Sequence, residues 1–156
     1  MANEELTVEV VGRFDERGSC DELLYASVGG DLSFRRTRWY CFEFRGGRAS
    51  VESFARATLV DVVSQEVTFG GGPVLEGYRF HLDYGMKKGV LDLEKETILA
   101  YYRELEDTGF ALEGLRLATR IYVFGDAASG VRKQFIRDVV NPAIHMYTIG
   151  DERSGA

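Results

Sequence analysis

The chain has 156 residues, 45% of them hydrophobic, a length and composition that suit one domain with its own core. Its formal net charge of −6 at pH 7 argues against a nucleic-acid partner, because phosphate binding depends on an excess of lysine and arginine. The acidic N-terminus and the lack of any run of about 18 apolar residues predict a cytoplasmic protein that is neither exported nor attached to a membrane.

The first half of the chain predicts alternating strands and helices. Residues 6–11 suit a strand, and residues 19–22 have the sequence of a capping box that opens a short helix. A long strand follows over residues 32–44, and Ser50 caps a second helix with apolar positions at helical spacing. The glycine-rich residues 70–73 could cradle a phosphate, but a strand follows them instead of a helix, so a linker is favoured.

The second half predicts the same succession of elements. Residues 78–84 alternate apolar and polar side chains, which is the period of a strand with one buried face. Asp92 caps a helix whose first turn is acidic, which is favourable against the helix dipole. The remaining elements are a long strand, a helix that stops at Asn141-Pro142 and a closing strand: residues 115–124, 130–141 and 144–149.

The two halves also share sequence blocks in the same order. The matched blocks are residues 37–42 with 119–124, Phe54 and Arg56 with Phe135 and Arg137, and residues 59–70 with 139–150. Four of the six positions in the first block are identical. We therefore expect two diverged copies of one β-α-β-α-β unit, residues 1–72 and residues 73–156.

The central strands of the two copies, residues 32–44 and 115–124, are apolar on both alternating side-chain sets. Trp39 and Cys41 alternate with Tyr40 and Phe42 in the first copy, and the second copy follows the same pattern. One copy alone cannot cover both faces of such a strand. We expect an α+β fold in which the copies pack as a pseudo-two-fold dimer, with antiparallel or mixed sheets and helices on one face.

Few side chains suit catalysis, because nucleophilic chemistry needs a serine or cysteine held against a histidine, and the chain has two histidines. His81 shares a strand face with Arg79 and Asp83, a set that could transfer protons, but period-two placement favours a solvated polar face. His145 is expected at the surface or an interface, since no neighbouring ligands complete a metal site.

Other candidate positions have plain structural interpretations beside functional ones. Arg38 and Arg120 occupy equivalent places in the central strands, where they could pair between copies, face a partner protein or lie at solvated strand ends. Residues 125–130 precede a helix and are a weak anion-site candidate, because the carboxylate at position 126 repels anions. Cys20 and Cys41 lack a CxxC spacing and are expected to be buried, unreactive side chains.

Several motifs of the second half resemble one family. The sequence Lys-Gly-Val-Leu-Asp at 88–92 follows a strand, Gly-Leu-Arg at 114–116 leads into an Arg-x-Tyr-x-Phe strand, and Asp-Val-Val-Asn-Pro at 138–142 precedes the last strand. In this order they resemble PurS, the small subunit of phosphoribosylformylglycinamidine synthase. The resemblance covers residues 78–150 directly and residues 6–70 through the repeat, and Leu93 stands where the family prefers proline.

The resemblance implies a non-catalytic subunit in purine biosynthesis that bridges the ATP-dependent synthetase large subunit and the glutaminase and supports ammonia transfer. The duplicated chain is similar to the N-terminal PurS-like domain of the long single-chain synthase, as a free-standing protein or a fragment. The presumed ligase complex uses ATP, Mg²⁺ and glutamine, whereas this chain would bind no cofactor or metal and would have no catalytic residue. Self-association is compatible with this role. The expected interface residues are Arg38, Tyr40, Lys88, Asp92, Arg120 and Tyr122.

Two other functions stay open. A regulatory module that binds a metabolite at the seam between its copies, as tandem ACT-like domains do, would have the same element order by fold analogy. A small free-standing enzyme is disfavoured because the sequence offers no acid–base or metal set.

Overall fold

The computed structural model describes residues 3–14, 16–28, 31–126 and 130–152. Within these ranges, seven strands form one open antiparallel sheet, accompanied by three α-helices and a 3-10 helix, η1. The elements in chain order are β1 (Glu4–Gly12), β2 (Gly18–Ser19), η1 (Cys20–Glu22), β3 (Ser33–Gly46), α1 (Arg48–Leu59), β4 (Gln65–Phe69), β5 (Phe80–Met86), α2 (Leu93–Glu104), β6 (Phe110–Phe124), α3 (Val131–Val139) and β7 (His145–Asp151). The predicted α+β class is therefore confirmed.

The helix starts follow local capping chemistry, with two differences from the sequence expectation. Asp92 caps α2 as predicted, and its Oδ1 accepts a hydrogen bond from the Lys95 backbone N–H at 3.2 Å. Helix α1 begins at Arg48 after Gly47, so the prediction that Ser50 caps it was wrong. The short helix predicted at 19–22 is only the 3-10 turn η1, with the Ser19 hydroxyl accepting from the Asp21 N–H.

The chain divides into two compact units. Unit 1 takes the residues up to Arg13, Arg38–Val74 and Leu91–Leu117. Unit 2 takes Phe14–Thr37, Leu75–Val90 and the residues from Ala118 onward. Strands β3 and β6 each contribute one part to each unit.

Unit 1 contains a core built on β1 and its two neighbours. Strand β1 lies between β4 and β3, and Val8 stands opposite Phe69 on one side and Tyr40 on the other. Helices α1 and α2 bring Phe54 and Ile98 onto this layer. The fully or nearly fully buried members are Leu6, Val8, Phe42, Phe44, Val51 and Ala55.

Unit 2 has its own core, built in the same way on β5. Strand β5 lies between β7 and β6, and Leu82 stands opposite Ile149 and Ile121. Helix α3 contributes Phe135, whose ring meets the Phe80 ring edge-on at 5.5 Å between centroids. The first half of the chain adds four buried side chains, Cys20, Leu24, Leu32 and Phe34.

Each unit therefore contains elements from both halves of the sequence. Unit 1 combines β1, α1 and β4 with α2 and the first part of β6, whereas unit 2 combines β5, α3 and β7 with η1 and the first part of β3. The predicted boundary between copies lies in the connection between β4 and β5, where Gly70 and Gly71 have φ of +73° and +74°. Such backbone angles favour glycine and suit a tight linker.

The central strands are buried on both faces over part of their length, as predicted. Tyr40, Cys41 and Phe42 are consecutive and all buried. In β6, every residue from Arg120 to Phe124 is buried. In the described part of the chain, no helix is long and apolar enough to cross a membrane.

Candidate functional site

Three polar side chains of unit 1 form what we call the Glu94 cluster: Arg38, Tyr40 and Glu94. The Tyr40 hydroxyl donates to Glu94 Oε1 at 2.7 Å, and the Arg38 guanidinium donates to Oε2 of the same carboxylate. Arg38 and Tyr40 are two residues apart on β3 and thus share a face. Glu94 reaches them because the Asp92 cap starts α2 beside this strand.

The Glu94 cluster ties a helix start to a strand. Burial raises the pKa of Tyr40, and the hydrogen bond and negative charge of Glu94 raise it further, to about 12 in spite of Arg38. Tyr40 is therefore a neutral donor at pH 7. An ionised Glu94 in the first turn of α2 is also favourable against the helix dipole.

A groove of about 630 Å³ lies next to this cluster, between α1 and α2. Tyr40, Glu94 and Ile98 line it on one side, and Ala57 and Thr58 on the other. A second groove of about 390 Å³ continues along the same helix pair, sharing Ala57, Thr58 and Tyr101. The Thr58 hydroxyl oxygen is buried without a hydrogen-bond partner among the described residues. The groove is mainly apolar, with one carboxylate at its end.

Unit 2 contains a second polar group, which we call the Asp83 cluster: His81, Asp83 and Arg120. Arg120 donates to both carboxylate oxygens of Asp83, at 2.8 Å and 2.9 Å. His81 Nδ1 lies 2.9 Å from Asp83 Oδ1. The Tyr122 ring is 6.0 Å from the His81 ring, and Tyr78 stacks edge-on against both. This is a bidentate ion pair extended by a histidine.

The surroundings of the Asp83 cluster overturn one expectation. His81 is 9% exposed, so the predicted solvated polar face is wrong for this side chain; Arg120 is 7% exposed, so of its alternatives the solvated strand end is excluded. The reason is that Tyr78 and Tyr122 cover this side of β5. Burial alone would raise the pKa of Asp83, but hydrogen bonds from His81 and Arg120 and the charge of Arg120 hold it below its ordinary value. Arg79 does lie at the surface, paired with Asp126 at 2.7 Å.

The Asp83 cluster is suited to holding strands together more than to proton transfer. The His81 ring lies so close to the backbone of Gly150 on β7 that a Cβ at this position would collide with Nε2. The other ring nitrogen is occupied by Asp83. Both nitrogens are thus enclosed within unit 2, and the cluster orients β5, β6 and β7 relative to each other.

The structure brings together four of the six expected interface residues in two groups. Arg38 and Tyr40 belong to the Glu94 cluster, and Arg120 and Tyr122 lie at the Asp83 cluster. Lys88 is exposed in the connection between β5 and α2. Asp92 acts as a cap and joins neither cluster.

The remaining candidates have structural roles. His145 Nδ1 accepts from the Asn141 backbone N–H at 3.0 Å. Both cysteines are buried and free, and burial raises the pKa of Cys20 to about 12, so the thiol stays protonated. Residues 127–129 of the anion-site candidate lie outside the described residues. Across the described ranges, no group of three or more His, Cys, Asp and Glu side chains could hold a metal ion.

Sequence reasoning singled out the two arginines, and Asp83 beside His81, but it did not pair either arginine with its carboxylate. Asp83 is 37 residues from Arg120, and Glu94 is 56 residues from Arg38, so no local spacing connects them. The available signal was the Arg-x-Tyr spacing, present once in each central strand.

No protein-family model, no curated protein and no solved structure matches the chain. The repeated motifs and the two clusters are therefore the basis on which a function can be proposed.

Proposed function

We propose that the chain consists of two PurS-like copies and acts as a non-catalytic structural subunit or domain of phosphoribosylformylglycinamidine synthase. In this role it bridges the ATP-dependent synthetase and the glutaminase in the cytoplasm and supports ammonia transfer between them. The copies, residues 1–72 and 73–156, are related by a rotation close to two-fold. The observation that carries the proposal is a hydrogen-bonded turn built twice, at equivalent places in the two halves.

The first of these turns joins α1 to β4. The Asp61 carbonyl accepts from the backbone N–H groups of Ser64 and Gln65, at 3.2 Å and 2.7 Å. Asp61 Oδ1 accepts from the Val63 N–H at 3.0 Å, and the Asp61 N–H donates to the Gln65 side chain at 2.9 Å. This is an Asx turn with an additional hydrogen bond to the side chain of the first residue of the following strand.

The second turn joins α3 to β7, 80 residues further on. The Asn141 carbonyl accepts from the N–H groups of Ile144 and His145, at 3.1 Å and 2.8 Å. Asn141 Oδ1 accepts from Ala143 N–H, and the Asn141 N–H donates to the His145 ring, both at 3.0 Å. All four hydrogen bonds of the first turn recur with different side chains, which supports duplication of one unit.

The strand pairing supports the same proposal. In unit 1 the central position of a three-strand layer is taken by β1, and in unit 2 by β5, the first long strand of each half. Arg38 and Arg120 hold carboxylates at matching positions of β3 and β6. Since a PurS-like unit pairs two-fold, a fused pair would supply the whole dimer on one chain.

The proposal is tested by reconstitution. The chain is mixed with a synthetase large subunit and glutaminase from the same source, and amidine formation is measured with glutamine or with ammonia as nitrogen donor. We expect co-elution and a requirement for the chain with glutamine, which ammonia relieves at least in part, because a bridge holds two active sites in register. A synthase that runs equally well on glutamine without the chain would refute the proposal.

The groove between α1 and α2 favours one second candidate, a metabolite-binding module of the tandem ACT-like type. The two helices come from different halves of the sequence, so the groove lies at a seam between the proposed copies inside unit 1. A bulky side chain at exposed Ala57 would fill it. The test is whether amino acids or nucleotides raise the melting temperature of the chain. If they do, and Ala57→Trp abolishes this increase, the result supports the second candidate over the first.

A further inference from the structure

Strand β7 forms one end of the sheet, with β5 as its neighbour on one side. The Ile144 carbonyl and the Glu152 N–H, just outside its two ends, bond to Lys87 and Arg79 on the β5 side. Backbone direction alternates along an antiparallel strand, so the backbone groups of Tyr147 and Ile149 point away from β5. No strand in the described ranges lies beyond them.

This edge lacks the features that usually keep a sheet edge from pairing. Between His145 and Asp151 the strand has no charged residue, and Met146 and Tyr147 are 62% and 48% exposed. The opposite edge strand, β4, carries Glu66 in an ion pair with Arg13 at 2.8 Å. Charged side chains on edge strands oppose pairing with other chains, and β7 is without them over five residues.

We propose that β7 pairs in antiparallel fashion with β7 of a second copy, about a two-fold axis at Thr148. Residues whose backbone groups point away from β5 then form hydrogen-bonded pairs across the axis. Thr148 of one copy lies opposite Thr148 of the other as a non-hydrogen-bonded pair. The register across the axis is His145 with Asp151, Met146 with Gly150, Tyr147 with Ile149, and Thr148 with Thr148.

The side chains of β7 complement each other in this register. Tyr147 lies on the same face as the core residue Leu82 and meets Ile149, giving an aromatic pair with a β-branched residue. Met146, on the other face, stands opposite Gly150, over which the His81 ring of the same chain lies.

Polar complementarity points to the same partner. The His145 imidazole stands opposite the Asp151 carboxylate, which already binds Arg132. Because the same strand supplies both members of the Tyr147–Ile149 and His145–Asp151 pairs, a second copy is the partner that this edge fits.

The pairing is tested on the purified chain alone, so its outcome is independent of the proposed synthase role. Sedimentation equilibrium should show a monomer–dimer equilibrium for the wild-type chain. Thr148→Lys places two like charges opposite each other and should raise the dimer dissociation constant by about tenfold or more. Thr68 is the matched control, because it is the exposed residue at the equivalent place in β4. Thr68→Lys should leave the dissociation constant unchanged.

Cross-linking gives a second measurement that does not depend on how well the lysine variant folds. Opposed residues of a non-hydrogen-bonded pair have Cα atoms about 4.5 Å apart, which a disulfide can bridge. Thr148→Cys should therefore form a disulfide-linked dimer on mild oxidation, and Thr68→Cys should stay monomeric on a denaturing gel. A wild-type chain that stays monomeric at every concentration, or a dimer that neither Thr148 variant affects, overturns the pairing. If the wild-type chain is monomeric and Thr148→Lys abolishes binding to the synthase subunits, the edge pairs with a different protein. That result also overturns the proposed pairing of β7 with a second copy.

Discussion

Arg38 of β3 and Arg120 of β6 occupy different environments. The Arg120 side chain is 9% exposed and binds both oxygens of Asp83, whereas the Arg38 side chain is 32% exposed and shares Glu94 with Tyr40. Removing one partner of a buried ion pair leaves a charge without compensation, while a more exposed pair is screened by water. The same residue type therefore contributes differently to stability.

We expect Arg120→Ala to lower the free energy of unfolding by about 3–5 kcal/mol, and Arg38→Ala by only about 1 kcal/mol. Urea denaturation followed by circular dichroism measures both. Equal small losses would mean that Asp83 is solvated after the substitution. Arg38→Glu is accordingly the better probe of a partner interface, because charge reversal at buried Arg120 would disturb the fold itself.

The lowered pKa of Asp83 predicts an acid-dependent loss of stability. A carboxylate whose pKa is lower in the folded state stabilises the fold fully at pH values well above its ordinary pKa of 3.8. This contribution is lost as the pH falls through 3.8 and then through the lowered folded-state value. Denaturation midpoints between pH 6 and pH 2 should fall more steeply for the wild type than for Asp83→Asn. Parallel profiles would contradict the assignment.

At the scale of single elements, the turns after α1 and α3 have the same hydrogen bonds with different side chains. Only the first residue, Asp61 or Asn141, must be an Asx residue, because its side-chain oxygen accepts from the N–H two positions later. The rest of the turn tolerates valine, proline or alanine. The same turn geometry therefore requires little sequence identity between the two segments.

Asp61→Ala and Asn141→Ala should each lower the denaturation midpoint, because each removes the side-chain acceptor of its turn. Asp61→Asn and Asn141→Asp retain the acceptor and should cost much less. Val62→Ala is the control, since Val62 is 71% exposed in the first turn. Chemical denaturation measures all five variants. A large effect in one turn and none in the other would weigh against their equivalence.

Periodicity predicted most elements, and its failures have local causes. Each predicted strand lies within or close to an observed one, because alternating burial sets the period of two. Helix α1 starts before Ser50 because Gly47 already provides an extended N-cap, at φ −75° and ψ 117°. The burial of His81 was missed because alternation shows which side chains share a face but not whether other segments cover that face.

At the scale of the whole molecule, both cores contain side chains from both halves of the sequence. The unit 1 core includes Leu115 and Leu117 from the second half, and the unit 2 core includes Cys20 and Phe34 from the first. Local patterns could not predict this exchange, because they describe each segment without its partners. Either half alone would leave part of its apolar surface in water.

Cutting the chain in the connection between β4 and β5 should therefore leave the two halves associated. A protease site inserted between Gly71 and Gly72 suits this test, as both residues are exposed and no atom beyond their chain neighbours lies within 4 Å of where a Cβ would stand. After cleavage, gel filtration should give one peak with both fragments, and either fragment expressed alone should lack a cooperative unfolding transition. Two separately folded fragments would contradict the shared cores.

The exchange of segments also determines when the chain can fold during its own synthesis. On the ribosome, β1 and β3 emerge early with buried-type residues such as Val8 and Phe42, but unit 1 is complete only once Leu117 has been made. Unit 2 must wait until β7, the last strand in the described ranges, has been made. Proteins that depend on such distant contacts fold slowly and expose apolar strands meanwhile. The nascent chain therefore leaves the apolar faces of β1 and β3 uncovered until much later segments have been made.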